Sequence, residues 1–154
     1  GFWLSPRGTQ LVFEAVDESH IPPYRIQHQG ETKGLSTTLT TETDMRKAST
    51  VTYEEHRYPF AGTDNPKVRL GVTRTDDADD DADASMDAVV WFDLEQVFGE
   101  DFYLAKVEWL KPTDDTKDST QIVVQLLDRR QKNLALLLAD CTTGKLTTLH
   151  META

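Results

Sequence analysis

Three groups of residues in this chain carry chemistry a protein could use. Glu54-Glu55 sets two carboxylates side by side, enough to neutralise and hydrogen-bond an ammonium group. Arg129-Arg130 could hold a substrate carboxylate through its forked donors. The run from Asp76 to Asp83 suggests calcium, yet it lacks the glycine and the closing glutamate of an EF-hand loop. Each group also has a plainer reading. Glu54-Glu55 reads as a solvated acidic face, Arg129-Arg130 as a hairpin tip, and the aspartates as a self-repelling loop. The plainer readings are preferred.

Nucleophiles are scarce. Cys141 is the single cysteine, so it forms no internal disulfide, cannot build a thiolate zinc site, and is most simply a small buried residue. No Gly-x-Ser-x-Gly elbow occurs, and none of the serines has the context of an activated nucleophile. His20, His28, His56 and His150 fall in expected strands or loops with no triad partner in sight. Trp3, Trp91 and Trp109 read as sheet core, since an aromatic binding cage needs them convergent and exposed. No catalytic, cofactor-binding or metal residue is therefore assigned, and no cofactor is expected. The chain by itself should not be an enzyme.

The elements that must position these residues are bounded by composition. The chain has 154 residues, 38% hydrophobic and 28% charged, a length that suits one domain with a real core. Residues 76–87 hold seven aspartates; without them the formal charge of −11 would be −4. No Lys/Arg cluster is present to displace counterions, so nucleic acid and anionic membrane surfaces are not expected as partners. No apolar run approaches the roughly 20 residues of a membrane-spanning helix. There is no initiating Met and no signal peptide, and the chain opens on the apolar Gly1-Phe2-Trp3-Leu4, which reads like the middle of a strand. A segment of a larger protein is expected. The lack of cysteine pairs tips the open question of localisation slightly toward a reducing, cytoplasmic compartment over a periplasmic or secreted one.

Strands and turns dominate the pattern. Phe2-Trp3-Leu4, the turn Ser5-Pro6-Arg7-Gly8 and the β-branched, aromatic stretch from Thr9 to Val16 form a hairpin signal. Pro22-Pro23 excludes a helix, and Tyr24 to His28 alternates as a short strand. Residues 30–52 are rich in Thr, Ser, Glu and Lys with no sustained period, and read as a surface arm with strand character if a partner pairs with it. Order returns at His56 to Phe60, and Lys67 to Val72 alternates cleanly. Ala88 to Leu94, Leu104 to Leu110, Gln121 to Asp128, Leu134 to Asp140 and Leu146 to Met151 read as further strands. A Leu-rich helix over Ile122 to Leu138 is the main rival; the β-branched Ile122-Val123-Val124 and the polar break at Asp128-Arg129-Arg130-Gln131 favour strands. The fold class is all-β: two sets of about four antiparallel strands, over 1–95 and 103–154, as in two blades of a β-propeller.

The same residues carry a resemblance. Phe2-Trp3-Leu4-Ser5-Pro6-Arg7-Gly8, then Asp17-Glu18-Ser19, then Arg57-Tyr58-Pro59-Phe60-Ala61-Gly62 with Asn65-Pro66-Lys67-Val68, resemble the N-terminal propeller of the dipeptidyl peptidase IV family, serine peptidases of the prolyl oligopeptidase clan. Val107-Glu108-Trp109, Leu126-Leu127-Asp128-Arg129 and Gln131 continue the likeness in the same order. It spares only residues 30–52 and 76–87, which look like local insertions. The resemblance implies an eight-bladed propeller capping an α/β-hydrolase domain that removes dipeptides from peptide N-termini. It implies that residues 1–154 are a fragment of that propeller, with peptide substrates and the parent's own C-terminal hydrolase domain as partners. It also implies a homo-oligomer joined through an arm, here residues 21–55. The family's paired glutamates grip the substrate amine from a short helix ahead of the tryptophan-serine-proline strand. Glu54-Glu55 does not occupy that place. The alternatives are a free-standing β-rich protein-interaction module and, further off, a carbohydrate- or calcium-binding β-sandwich.

Overall fold

The computed structural model describes residues 1–28, 52–75, 89–112, 114 and 117–154. The acidic loop expected over 76–87 lies outside the described residues. So does the Thr-rich arm over 30–52, save Thr52 itself. In chain order the elements are β1 (Phe2–Leu4), β2 (Gln10–Asp17), β3 (Pro23–His28), β4 (Thr52–Arg57), β5 (Lys67–Arg74), β6 (Val90–Phe92), the helical turn α1 (Glu95–Phe98), β7 (Phe102–Trp109), β8 (Gln121–Asp128), β9 (Asn133–Asp140) and β10 (Leu146–Thr153). They fall into two compact units, Gly1–Asp17 with Pro66–Ala154, and Glu18–Asn65.

The larger unit holds two four-stranded antiparallel sheets, ordered β1-β2-β5-β6 and β7-β8-β9-β10. Their facing sides make one core. Val12, Leu70, Val72 and Phe92 come from the first sheet, and Ile122, Val124, Leu126, Ala135, Leu137 and Ala139 from the second. In β8 the alternation is strict: Ile122, Val124 and Leu126 are each 0% exposed, and the residues between them are half-buried. A fully buried side chain of this size stabilises the fold by about 1.5–3 kcal/mol. The helical alternative over Ile122 to Leu138 is thus displaced by a strand pair in register from Gln121↔Asp140 to Leu127↔Leu134.

Aspartates set the turns of the second sheet. Between β8 and β9, Asp128 Oδ1 accepts from the amides of Lys132 (2.8 Å) and Asn133 (3.1 Å), while Gln131 takes a positive φ of 55°. Between β9 and β10, Asp140 Oδ1 accepts from the amides of Thr142 and Thr143, both at 2.9 Å. Side-chain oxygens that mimic a backbone turn explain both positions.

Three expectations are corrected. The strand anticipated over Ala88 to Leu94 pairs only at Val90–Phe92, because Leu94 turns helical and opens α1, which Gly99 ends at a φ of 76°. Glu54 and Glu55, expected in the tail of an arm, lie within β4. Strands β7 and β10 are longer than their hydrophobic runs, and each carries one register irregularity, at Leu104/Lys106 and at Thr148/His150. The ladder continues through polar residues there because the backbone pairs whatever the side chain.

The smaller unit is a two-stranded antiparallel ribbon, β3 with β4, in register from Pro23↔Arg57 to His28↔Thr52. A lone hairpin is marginal in water. Its base is tied by Arg57, whose Nη1 donates to the carbonyls of Ser19 (3.3 Å) and Ile21. Edge-to-face contacts link Tyr24 to Phe60 at 5.7 Å and Tyr58 to Phe60 at 6.2 Å.

Candidate functional site

The most heavily bonded carboxylate in the larger unit is Asp118, in the connection between β7 and β8. The β1–β2 turn folds because Gly8 adopts a φ of 77° and donates its amide to Ser5 O at 2.9 Å. That turn presents donors to the carboxylate of Asp118: the hydroxyls of Ser5 and Thr9 (2.7 Å) and the amides of Arg7 (3.2 Å) and Thr9 (3.3 Å). The Ser119 amide adds a bond at 2.8 Å. Burial works to raise the acid's pKa, but the Ser5 and Thr9 hydroxyls, with the Ser119 and Arg7 amides, outweigh it and hold it at about 2, against an ordinary 3.8. Further along the joint, Gln10 Nε2 donates to Ser119 O at 3.2 Å, while Cys141 N donates to Thr120 O at 2.8 Å within the second sheet and extends the β8–β9 ladder. Trp109 Nε1 donates to Trp3 O at 3.1 Å, so the two sheets are stitched by polar bonds at their margins around a dry centre.

A groove of about 280 Å³ runs beside this joint, lined by Gln10, Val72, Thr73, Val90, Thr120 and Cys141 among others. Its one thiol is inert. Burial, with the Asp140 charge beside it, pushes Cys141 up to about 12, so no thiolate forms near neutrality. Asp118 is equally unsuited to proton transfer, since a carboxylate saturated by donors is a very weak base. The joint is built to hold, with its carboxylate saturated by donors and its thiol kept protonated.

The residues singled out by type do not converge. Glu54 and Glu55 are neighbours on a strand and point to opposite faces of the ribbon. Glu54 faces His56, at 2.7 Å, and Glu55 faces Arg25 across the register, at 2.5 Å. The two carboxylates cannot clasp one ammonium. Arg129 turns toward Asp101 at 3.5 Å, while Arg130 lies near Asp128 at the hairpin tip and lends its charge there, so the pair forms no fork. His20 Nε2 sits 3.0 Å from Asn65 O. His28 ends β3, and His150 lies on β10 opposite Leu136. Trp3 and Trp109 pack on the core between the sheets, but Trp91 lies on the other face of the first sheet, edge-on to Phe13 at 5.5 Å. The Arg69 guanidinium covers the Trp91 ring at 4.0 Å, so the three tryptophans do not converge into one cage. Among the described residues no three His, Cys, Asp or Glu side chains gather as a metal site would. No helix among them is long and apolar enough to cross a membrane.

The Asp118 joint escaped the sequence reading. It unites residues more than 100 positions apart, and Asp118 follows Thr116-Lys117 in a polar stretch that reads only as a turn.

Comparison with known proteins places this architecture. In three dimensions the chain is similar to a protein assigned as a dipeptidyl aminopeptidase IV from Bacteroides ovatus ATCC 8483, with a TM-score of 0.68 and 19% identity. It is similar to the same degree to Porphyromonas gingivalis dipeptidyl peptidase 4, TM-score 0.68 and 16% identity. The alignments cover 100% and 99% of this chain but 17% of each of those proteins, so the chain spans about a sixth of their length. The sequence matches the profile of the dipeptidyl peptidase IV (DPP IV) N-terminal region over residues 1–154, and the chain belongs to that family, whose N-terminal region is a β-propeller.

Proposed function

We propose that this chain is a non-catalytic propeller segment of a dipeptidyl-peptidase-IV-like serine exopeptidase. Residues 1–95 make a first blade set, bearing an arm over 21–55 and an acidic loop over 76–87, and residues 103–154 make a second. The segment forms part of the wall that limits access to short peptides on their way to an α/β-hydrolase domain elsewhere in the parent protein. The arm contributes a dimer contact.

One observation carries this reading: two four-stranded antiparallel sheets of the same construction, packed face to face, over the full span of the family match. A wall needs stiffness more than reactivity, and the joint supports that with a saturated carboxylate and a protonated thiol. The arm's part is supported by the ribbon, where Tyr24, Ile26 and Tyr53 are exposed at 48%, 42% and 61% on strands able to add a further strand. The same exposure favours the second reading, a free-standing interaction module with no peptidase attached.

One experiment tests the non-catalytic role that both readings share, and a second separates them. The purified 154-residue chain should not hydrolyse a chromogenic glycyl-proline substrate; turnover abolished by a Ser-to-Ala change within this chain would refute the non-catalytic role. The reading frame around the segment should encode a Gly-x-Ser-x-Gly elbow downstream. A frame without one turns the assignment over to the interaction module.

A further inference from the structure

We propose that one face of the β3–β4 ribbon docks an extended, proline-containing peptide that carries a positive charge. The inference rests on this face alone and holds for a propeller wall as for a free-standing module. Cross-strand partners share a face, so the register Tyr24↔His56 and Ile26↔Glu54 puts these four side chains on one side of the ribbon. Arg25 and Glu55 stand on the other side, with Tyr53. Contact with Tyr24 brings Phe60 to the first side, and Phe60 in turn holds Tyr58. Tyr24, Tyr58 and Phe60 are exposed at 48%, 63% and 55%, and Ile26 at 42%. Four large apolar side chains gathered on one exposed face mark a contact surface.

The rings fix the kind of occupant. Both tyrosine planes stand nearly perpendicular to Phe60, at 82° for Tyr24 and 79° for Tyr58. Rings so disposed leave angled faces instead of a closed stack. Proline suits such faces, because its ring is stiff and it has no N–H to desolvate. A polyproline II segment is also extended before it binds, so little order is lost on docking. Charge narrows the choice further. The aromatic side holds the Glu54 carboxylate, 2.7 Å from His56, and among the described residues it has no lysine or arginine. Arg25 and Arg57 belong to the opposite side. Glu54 lies diagonal to Tyr24, a separation of about 7–8 Å. Two residues of polyproline II rise about 6 Å, so a cationic side chain two positions from the seated proline reaches the carboxylate. The formal charge of −11 attracts a ligand of the same sign. Strand addition would use the ribbon's edges, whereas this peptide uses a face.

The test is isothermal titration calorimetry of the full chain with a synthetic peptide blocked at both ends. The peptide carries two adjacent prolines and an arginine two positions after the second. Wild type should bind it, and exchanging the prolines for alanine should weaken binding about tenfold. Tyr58→Ala should weaken it by a similar factor. Glu54→Gln should weaken the arginine peptide alone, leave a neutral counterpart unchanged, and remove most of the salt dependence. Tyr53→Ala, on the far side, should change nothing. Limited proteolysis within residues 18–65 checks that the ribbon stays folded, and Tyr58→Leu replaces Tyr58→Ala if it opens. No binding by the wild type at millimolar peptide, equal binding with alanine in place of proline, or a loss with Tyr53→Ala matching that with Tyr58→Ala would each overturn the proposal.

Discussion

The joint between the sheets and the β3–β4 ribbon hold their strands by opposite means. The joint excludes water from aliphatic side chains and sets its polar bonds at the margins. The ribbon keeps its aromatic and charged groups on the surface, where ion pairs such as Arg25–Glu55 are screened and contribute about 0–1 kcal/mol. One is a core packed between two sheets. The other leaves Tyr24, Ile26 and Tyr53 exposed on its two strands. The difference teaches where a change should act globally and where it should act only locally.

The largest effect should come from the centre of the joint. Leu137 is 1% exposed, and Leu137→Ala should cost about 2–5 kcal/mol by leaving a cavity, lowering the denaturation midpoint of the whole larger unit. Gly71→Ala should come next. The added Cβ would meet Val89 at 2.9 Å and the Trp91 ring at 3.0 Å, and such overpacking costs about 1–3 kcal/mol. Chemical denaturation of the two variants beside wild type checks both.

Asp118 should show its effect through pH. Its folded pKa of about 2 lies below the ordinary 3.8, so its contribution is complete above 3.8 and disappears as pH falls toward 2. Asp118→Asn should destabilise the chain by about 1–2 kcal/mol at neutral pH and lose part of the wild type's acid sensitivity. The rest of that sensitivity remains, because the amides around Asp128 and Asp140 also lower their pKa values. Equal losses in wild type and variant between pH 5 and pH 2 would show that the carboxylate does not stitch the joint.

The smallest effect belongs to the ribbon. Phe60→Ala removes both ring contacts, with Tyr24 and Tyr58, each worth about 0.5–1.5 kcal/mol. It should quicken proteolysis within residues 18–65 and leave the midpoint of the larger unit where it was. A matching fall in both would mean that the ribbon and the joint unfold together.

What sequence could and could not reveal follows from range. Strand signals are local: β5 was legible from its alternation, and β2, β8 and β9 from β-branched, aromatic or apolar runs bounded by polar breaks, while the turn aspartates lay where side-chain capping predicts. Strand β4 was hidden, because Thr52-Tyr53-Glu54-Glu55-His56-Arg57 is too polar to advertise a ladder that only its pairing with β3 explains. The separation of Glu54 from Glu55 followed only once that strand was known. The Asp118 joint depends on Ser5 and Thr9 arriving from the opposite end of the chain, which no local pattern encodes.

Hydrogen exchange by mass spectrometry, resolved to peptides, tests the central claim that the joint is the scaffold and the ribbon the separable part. Amides of β8 and β9 should exchange only through global opening, and those of β3 and β4 should exchange much faster through local opening. Equal protection in the two regions, or faster exchange in β8 and β9 than in the ribbon, would contradict the account.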